Sequence, residues 1–297
     1  MQTILCPLCE QDSTFLVNRR RERDLTITTV GCSQCGLVYH NPVIEDRDRQ
    51  SAAVSSRQWH TGAVDNTRQL RKLEKRWNLQ WPLIQPVFSP GGAVLEIGCG
   101  LGLVGGKLKS LGAEVWAVEP DPDQAAYARK NYGLEVVPLL FEDVSFGTQQ
   151  FDLILASHVI EHFPDPLAFL RQVRTFAHPE TWLFLETPNV LAPKVSYRRM
   201  FSPAHNFYFA PQTLDWLLAK AGWRQEKLRI FRRDSFQVLA RPCPPQQPAV
   251  DPDMARQVMS AINRHRYLYY LKLLFIWRKL PWWQKYWMYQ PRCLPPL

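Results

Sequence analysis

Four of the seven cysteines fall in two matched pairs, Cys6-Pro-Leu-Cys9 and Cys32-Ser-Gln-Cys35, with 22 residues between them. Thiolates two residues apart in a tight turn can both reach one tetrahedral Zn²⁺, and two such turns complete the shell. Four sulfurs leave no open position, so the metal they imply is structural. A unit of about 40 residues usually needs such a staple. Residues 1–45 therefore read as a four-cysteine zinc ribbon with Cys6, Cys9, Cys32 and Cys35 as ligands. The other three cysteines, Cys99, Cys243 and Cys293, are scattered and make a poor disulfide framework. A reducing, cytoplasmic setting is expected. The first residues, MQTILCPLCEQDSTF, hold no charged leader ahead of an apolar run, so no signal peptide is expected.

A second constellation begins at Ala93. The run AVLEIGCGLG is a buried strand followed by glycines at 98, 100 and 102. Glycine tolerates positive φ and lets a ligand approach the backbone, and the helix that follows offers free N–H groups. Glu96, at the strand end, would repel a pyrophosphate and suits a ligand carrying an ammonium group. Glu119 ends the next strand, about 20 positions past the glycines, where a carboxylate can accept ribose hydroxyls.

A third group is His158, Glu161, His162 and His205. The spacing His158-Val-Ile-Glu161-His162 matches the HxxEH pattern of inverted zinc peptidases, but those need the motif inside a helix. Here it straddles a strand end, and Phe163, Pro164 and Pro166 follow at once. Two uses remain open: shaping the loop at the edge of the sheet, or an imidazole taking a proton from an acceptor hydroxyl.

The elements that must position these groups follow from periodicity. Apolar strands alternate with amphipathic helices over 91–241, which argues for βαβ units on a parallel sheet. Strands are expected at 93–98, 114–119, 134–138, 151–157, 181–187, 226–231 and 235–241, and helices at 105–111, 123–132, 166–177 and 211–221. Asp165 before Pro166 gives an N-cap with proline at the first helical position. The last two strands are joined only by 232–234 and are expected to form an antiparallel hairpin at the sheet edge. Residues 46–90 read as a helical linker, 242–252 as a Pro-rich linker and 253–297 as a basic, aromatic helical tail.

The segments VLEIGCGLG, AVEPD and FDLILASHVIEHFPDPLAFLRQV resemble the signatures of class I S-adenosylmethionine-dependent methyltransferases, in the branch that includes the ubiquinone-pathway O-methyltransferases. The stretch AHNFYFAPQTLDWLLAKAGW from Ala204 is similar to that branch's late helix. The resemblance covers about 91–240. It implies a Rossmann-like α/β fold, S-adenosylmethionine as cofactor and methyl transfer. It places Gly98, Gly100 and Gly102 around the methionine moiety, Glu96 near its amino group and Glu119 on the ribose. The loop holding Phe141 and Glu142 would wrap the adenine, and Ser157 and His158 would face the sulfonium. Related enzymes read ExxEH where this chain has His158, and that segment is tied there to a divalent ion. His158, His162 and His205 are the candidate catalytic residues.

The net charge is +9, yet eight basic residues and no acid lie from Met254 on, which leaves the first 253 residues at about +1. A nearly neutral body favours a small-molecule, sugar-nucleotide or lipid-linked glycan acceptor over nucleic acid, which needs a distributed basic surface. RNA methylation, or a non-catalytic binding module on the same fold, stand as alternatives. On a helix, Arg264, Lys272, Arg278 and Lys279 gather on one side, opposite Val258, Ile262, Tyr269, Leu273, Ile276 and Leu280. Four tryptophans fall between Trp277 and Trp287. Three uses are open for this tail: an in-plane membrane helix, a packing or dimer helix, or a platform for single-stranded RNA.

Overall fold

A computed structural model describes residues 2–22, 25–44, 66–193, 197–231 and 234–279. The expectations for 46–65 and 280–297 lie outside the described residues.

The central sheet has seven strands. They are β4 (Ala93–Ile97), β5 (Glu114–Val118), β6 (Glu135–Val137), β7 (Phe151–Ser157), β8 (Ala177–Pro188), β10 (Trp223–Phe231) and β11 (Ser235–Pro242). The order is β10-β11-β8-β7-β4-β5-β6. Pairs β4–β5, β5–β6, β4–β7 and β7–β8 are parallel, whereas β11 runs antiparallel to both β8 and β10. The sheet is thus mostly parallel with an antiparallel hairpin at one edge. Both faces are buried, so the strand side chains alternate between two cores. Leu153 and Leu155 face one core with Trp77, Leu103, Leu108 and Ala128. Ile154 and Ala156 face the other with Phe169, Leu170, Leu214 and Leu217. The first face is covered by α1 (Asn66–Ile84), α2 (Leu103–Ser110) and α3 (Pro122–Tyr132), the second by α4 (Pro166–Thr175) and α6 (Pro211–Ala221). Asp165 caps α4 by accepting from the N–H groups of Leu167 and Ala168, and Pro166 is the first helical residue.

The paired cysteines belong to a unit built on a second sheet of four strands, and that unit is not confined to residues 1–45. β1 (Thr14–Glu22), β2 (Leu25–Cys32) and β3 (Val38–His40) are joined by β9 (Phe207–Tyr208), which comes from the far end of the sequence. Val38 pairs with Tyr208 and Tyr39 with Phe207. A short helix, α5 (Tyr197–Met200), precedes that strand. Ribbon residues Cys6, Leu37 and Tyr39 share one continuous core with Phe207, Leu217 and Trp223. Lys220 of α6 reaches across to the carbonyls of Pro7 and Leu8 and to Glu10.

The last described helix is α7 (Asp253–Lys279), and its root takes the packing role, one of the uses left open for the tail. The proline-rich stretch before it is laid along the end of α6, with Cys243 N–H on Gly222 O and Gln246 N–H on Ala219 O. Met254, Ala255, Val258 and Ile262 are then buried in the core shared with the ribbon. Gly36 makes this possible. A Cβ there would lie 2.9 Å from the backbone of Met254 and Ala255, and its φ is +74°. The root of the tail is part of the body, and further along, among the described residues, Tyr267, Leu268, Tyr270, Leu271 and Leu274 are exposed. No helix among the described residues is long and apolar enough to cross a membrane.

Candidate active site

The glycine turn sits at the C-terminal end of β4, with Gly98, Gly100 and Gly102 all at positive φ. The tightest packing is at Gly98, where a Cβ would lie 2.7 Å from Val159, and at Gly102, where it would lie 2.6 Å from Ala128. Each glycine meets both a dihedral and a packing demand. Glu96 lies beneath the turn, and its Oε2 accepts from Gly105 N–H at 2.8 Å, in the first turn of α2. That is the electropositive end of a helix. Burial lifts the Glu96 carboxyl to about 8, against the pull of that hydrogen bond.

Glu119, just past β5, bridges two backbone donors. Its Oε2 accepts from Gly100 N–H at 2.8 Å and its Oε1 from Asp121 N–H at 2.9 Å. Burial raises its pKa as well, and the two N–H groups oppose the rise. The carboxylate therefore ties the β5 end to the glycine turn and keeps lone pairs that can accept hydroxyls.

The loop after β6 differs from expectation in one respect. Phe141 is buried, edge-on to Phe163, Phe169 and Phe176. Its ring completes the core over α4 and cannot stack on an adenine. The exposed side chains of that loop are Leu139, Leu140, Glu142 and Asp143.

At the ends of β7 and β8 the structure brings together residues that the sequence holds far apart. His158 adopts φ +56°, uncommon for a residue with a side chain. Its Nδ1 lies 3.2 Å from Glu161 and its Nε2 3.2 Å from Glu186. Both carboxylates are buried. Burial alone would lower the imidazole pKa, but the hydrogen bonds from the two carboxylates outweigh it and hold His158 near 9. Burial would likewise raise Glu161, yet His158 brings it down to about 2. His158 is thus a proton-bearing strut, the wrong state for a base at neutral pH.

Ser157 accepts from Gln80 of α1 at 2.8 Å, and Gln80 also donates to Glu186 at 2.8 Å. Gln237 of β11 donates to Glu186 at 3.1 Å. Residues 160–162 form a single 3-10 turn, not the helix that a zinc peptidase would need. His162 Nδ1 lies 2.7 Å from the Ala204 carbonyl, which can only accept, so Nδ1 carries a proton. The rings of His162 and His205 meet perpendicularly at 4.8 Å. Burial pushes His205 down to about 3, so it is neutral. Glu161, His162 and His205 each offer one atom within 4.8 Å of the others, a group that could hold an ion.

A family model described as a methyltransferase domain matches residues 67–228. The chain belongs to that family. Its methyltransferase domain is 34% identical over 109 residues to the ubiquinone biosynthesis O-methyltransferase of Xanthomonas campestris pv. campestris, covering 35% of this chain and 46% of that protein. It is 28% identical over 189 residues to the tRNA U34 carboxymethyltransferase of Methylococcus capsulatus, covering 57% of each. The chain thus spans about half the length of these relatives. Among solved structures, it resembles the 1,6-didemethyltoxoflavin-N1-methyltransferase of Burkholderia thailandensis, solved with S-adenosylhomocysteine. The TM-score is 0.54 at 16% identity, over 76% of this chain and 99% of that one, a likeness of fold.

Outside the family match lie the four cysteines. Cys6 Sγ and Cys35 Sγ are 3.5 Å apart, Cys9 Sγ and Cys32 Sγ 3.3 Å, and all four lie within 4.8 Å of one another. These separations are too long for S–S bonds. They bracket the roughly 3.8 Å expected between sulfurs around a tetrahedral zinc with Zn–S near 2.3 Å. Two matching turns present them: Glu10 N–H bonds Cys6 O, and Gly36 N–H bonds Cys32 O. The residue after each second cysteine, Glu10 or Gly36, has positive φ. The donor set fits a structural zinc.

Sequence reasoning missed Gln80, Glu186 and Asn206. Glu186 carried a signal, since it is an acid inside the apolar run of β8. Asn206 carried none. It is fully buried and links three segments: it exchanges two bonds with the Ile44 backbone, donates to His162 O from its side chain and to Glu161 O from its backbone, and accepts from His40 N–H.

Proposed function

We propose that this methyltransferase domain binds S-adenosylmethionine at the glycine turn and transfers its methyl group to a small-molecule, sugar-nucleotide or lipid-linked glycan acceptor, by O- or C-methylation, in the cytoplasm. The observation that carries the reading is Glu119 bridging Gly100 and Asp121 beside three left-handed glycines. That leaves a carboxylate for ribose hydroxyls and a bare backbone for close approach. The cofactor supplies an activated methyl sulfonium, so positioning is most of what the protein must do. Glu96 and the start of α2 hold the amino-acid end, and Leu140 with Glu142 lines the adenine side. Ser157 and the His158–Glu186 pair fix the floor where the acceptor approaches. If the acceptor is a poor nucleophile, His162 is the residue of this group to take its proton, because His158 already carries a proton and His205 is too weak a base. Zinc on the four cysteines has a structural part only.

The test is titration calorimetry with S-adenosylhomocysteine, followed by incubation of the enzyme with labelled cofactor and fractionated extract. Binding and label in the small-molecule or lipid fraction support the reading. Absence of binding points to a non-catalytic module. Label in RNA supports the alternative suggested by the similarity to a tRNA-modifying enzyme, which the near-neutral body disfavours.

A further inference from the structure

The outer half of α7 carries an apolar face that nothing in the described structure covers. Tyr267, Tyr270, Leu271 and Leu274 stand at i, i+3, i+4 and i+7, so they share one side of the helix. They are 64%, 52%, 41% and 60% exposed, and Leu268 beside them is 47% exposed. The docked residues Met254, Ala255, Val258 and Ile262 lie on nearly the opposite side. At about 100° per residue the two faces are separated by roughly 160°. α7 therefore has one face for the body and, further out, another turned away from it. Val258 and Ile262, which the sequence pattern placed on one apolar face of the tail, belong to the first.

We propose that this second face docks on an anionic lipid surface. Three observations choose that occupant. First, basic residues flank the stripe: at about 100° per residue Arg264 lies between Leu271 and Leu268 on one side and Arg266 lies on the other, both exposed. From Met254 on there are eight basic residues and no acid. A second copy would bring the same charge to the same face and repel it, whereas an anionic headgroup layer attracts it. Second, the crest of the stripe holds aliphatic leucines. These gain by entering acyl chains but offer nothing to stacked bases, which argues against RNA as the occupant. Third, tyrosines adjoin the leucines, the pairing favoured at the level between headgroups and chains. The root of the helix is held by the ribbon core, so binding orders little new chain. Tyr197 of α5 packs against His265 at 6.5 Å and bonds Val17 O of β1. Docking would therefore turn the β1 and α5 side of the molecule toward the lipid. The inference rests on this surface alone and holds whichever acceptor is methylated.

The experiment is flotation of the full chain with vesicles of phosphatidylcholine alone, and of phosphatidylcholine with phosphatidylglycerol. Wild-type protein should float with the anionic vesicles, much less with the neutral ones, and less at high salt. The variant L271Q/L274Q should bind about tenfold or more weakly, and R264Q/R266Q should lose the preference for anionic lipid. Both variants should keep S-adenosylhomocysteine affinity, which shows that they fold. Flotation unchanged in L271Q/L274Q, or none by the wild type, overturns the proposal. So does a wild-type dimer that this variant dissociates, which would assign the face to self-association. Stronger retention by single-stranded RNA than by anionic vesicles, unaffected by the variant, also overturns it.

Discussion

The two halves of the candidate site are built in opposite ways. The cofactor half is local: Glu96, the three glycines and Glu119 lie within 24 consecutive residues, on β4, β5 and the turn between β4 and α2. Its contacts are mostly side chain to nearby backbone, as in Glu119 to Gly100 and Asp121. The acceptor half is assembled. Gln80 comes from α1, Ser157 to His162 from the end of β7, Glu186 from β8 and Gln237 from β11. The 204–209 segment is pinned from outside by the ribbon. A local site can be held by one strand–turn–helix unit. An assembled site depends on every element that reaches it, including the four-cysteine unit.

The comparison is tested hardest by removing one of the four cysteines. Structural zinc in small domains is worth roughly 10–16 kcal/mol of apparent binding free energy, so Cys32→Ser should unfold the ribbon turns. One zinc per chain should be found in the wild type by elemental analysis and none in the variant. β9 would lose its β3 partner, hydrogen exchange across 201–209 should rise, and methyl transfer should fall to background. Affinity for S-adenosylhomocysteine should change little. If cofactor binding fails in parallel, the halves are not separable in this way. A second bound metal, lost in His162→Ala, would place an ion at Glu161, His162 and His205.

Asn206→Ala probes the same dependence without touching the metal. It strips the side-chain bonds to Ile44 and His162 and leaves buried partners unsatisfied, at about 1–3 kcal/mol each. A loss of roughly 3 kcal/mol in thermal or denaturant unfolding is expected, with kcat down on the order of tenfold or more and the cofactor dissociation constant nearly unchanged. An unchanged kcat would mean that the 204–209 segment is scaffold only.

Glu119→Ala should show the converse pattern. Losing a charged acceptor at the ribose position costs about 2 kcal/mol, or roughly 30-fold in affinity for S-adenosylhomocysteine. The ribbon, its zinc and the stability of the acceptor half should be retained. Calorimetry on this variant beside Asn206→Ala gives a double dissociation, or removes it.

The same contrast explains what could be read from the sequence. The cofactor half was legible because its information is contiguous. A buried strand, alternate glycines and an acid at the next strand end can be recognised within one window, and Asp165-Pro166 marked the start of α4 equally locally. The acceptor half was legible only as candidate types. Nothing in periodicity says that His158 would be clasped by two carboxylates, one of them 28 residues away. Nor could it say that a two-residue strand at 207–208 would pair with Val38 and Tyr39. The adenine loop shows the reverse error. The resemblance placed Phe141 in the loop around the adenine, but three other phenylalanines claim its ring. The tail was left with three open uses for a similar reason: a helical wheel shows which residues share a face, not what that face meets.

The smallest expected effect concerns the ammonium end of the cofactor. Burial holds the Glu96 carboxyl near 8, well above the usual carboxylate range. Between the unfolded value near 4.5 and about 8, the folded protein keeps a proton that the unfolded chain has released. The contribution of Glu96 to stability is therefore fully present below about 4.5 and lost as pH rises through about 8. A ligand that brings a positive ammonium group to this carboxyl reverses the preference and favours the ionised form. Binding should then release up to one proton below pH 8, and affinity for S-adenosylhomocysteine should rise with pH by no more than about tenfold per unit, levelling off above it. Calorimetry in two buffers of different ionisation enthalpy reads the proton directly. Glu119 is also raised by burial, so the deciding control is Glu96→Gln, which keeps the bond from Gly105 N–H but cannot ionise. Its affinity should lose most of the pH dependence. If the variant keeps the full dependence, the proton belongs to Glu119, and Glu96 serves the start of α2 alone.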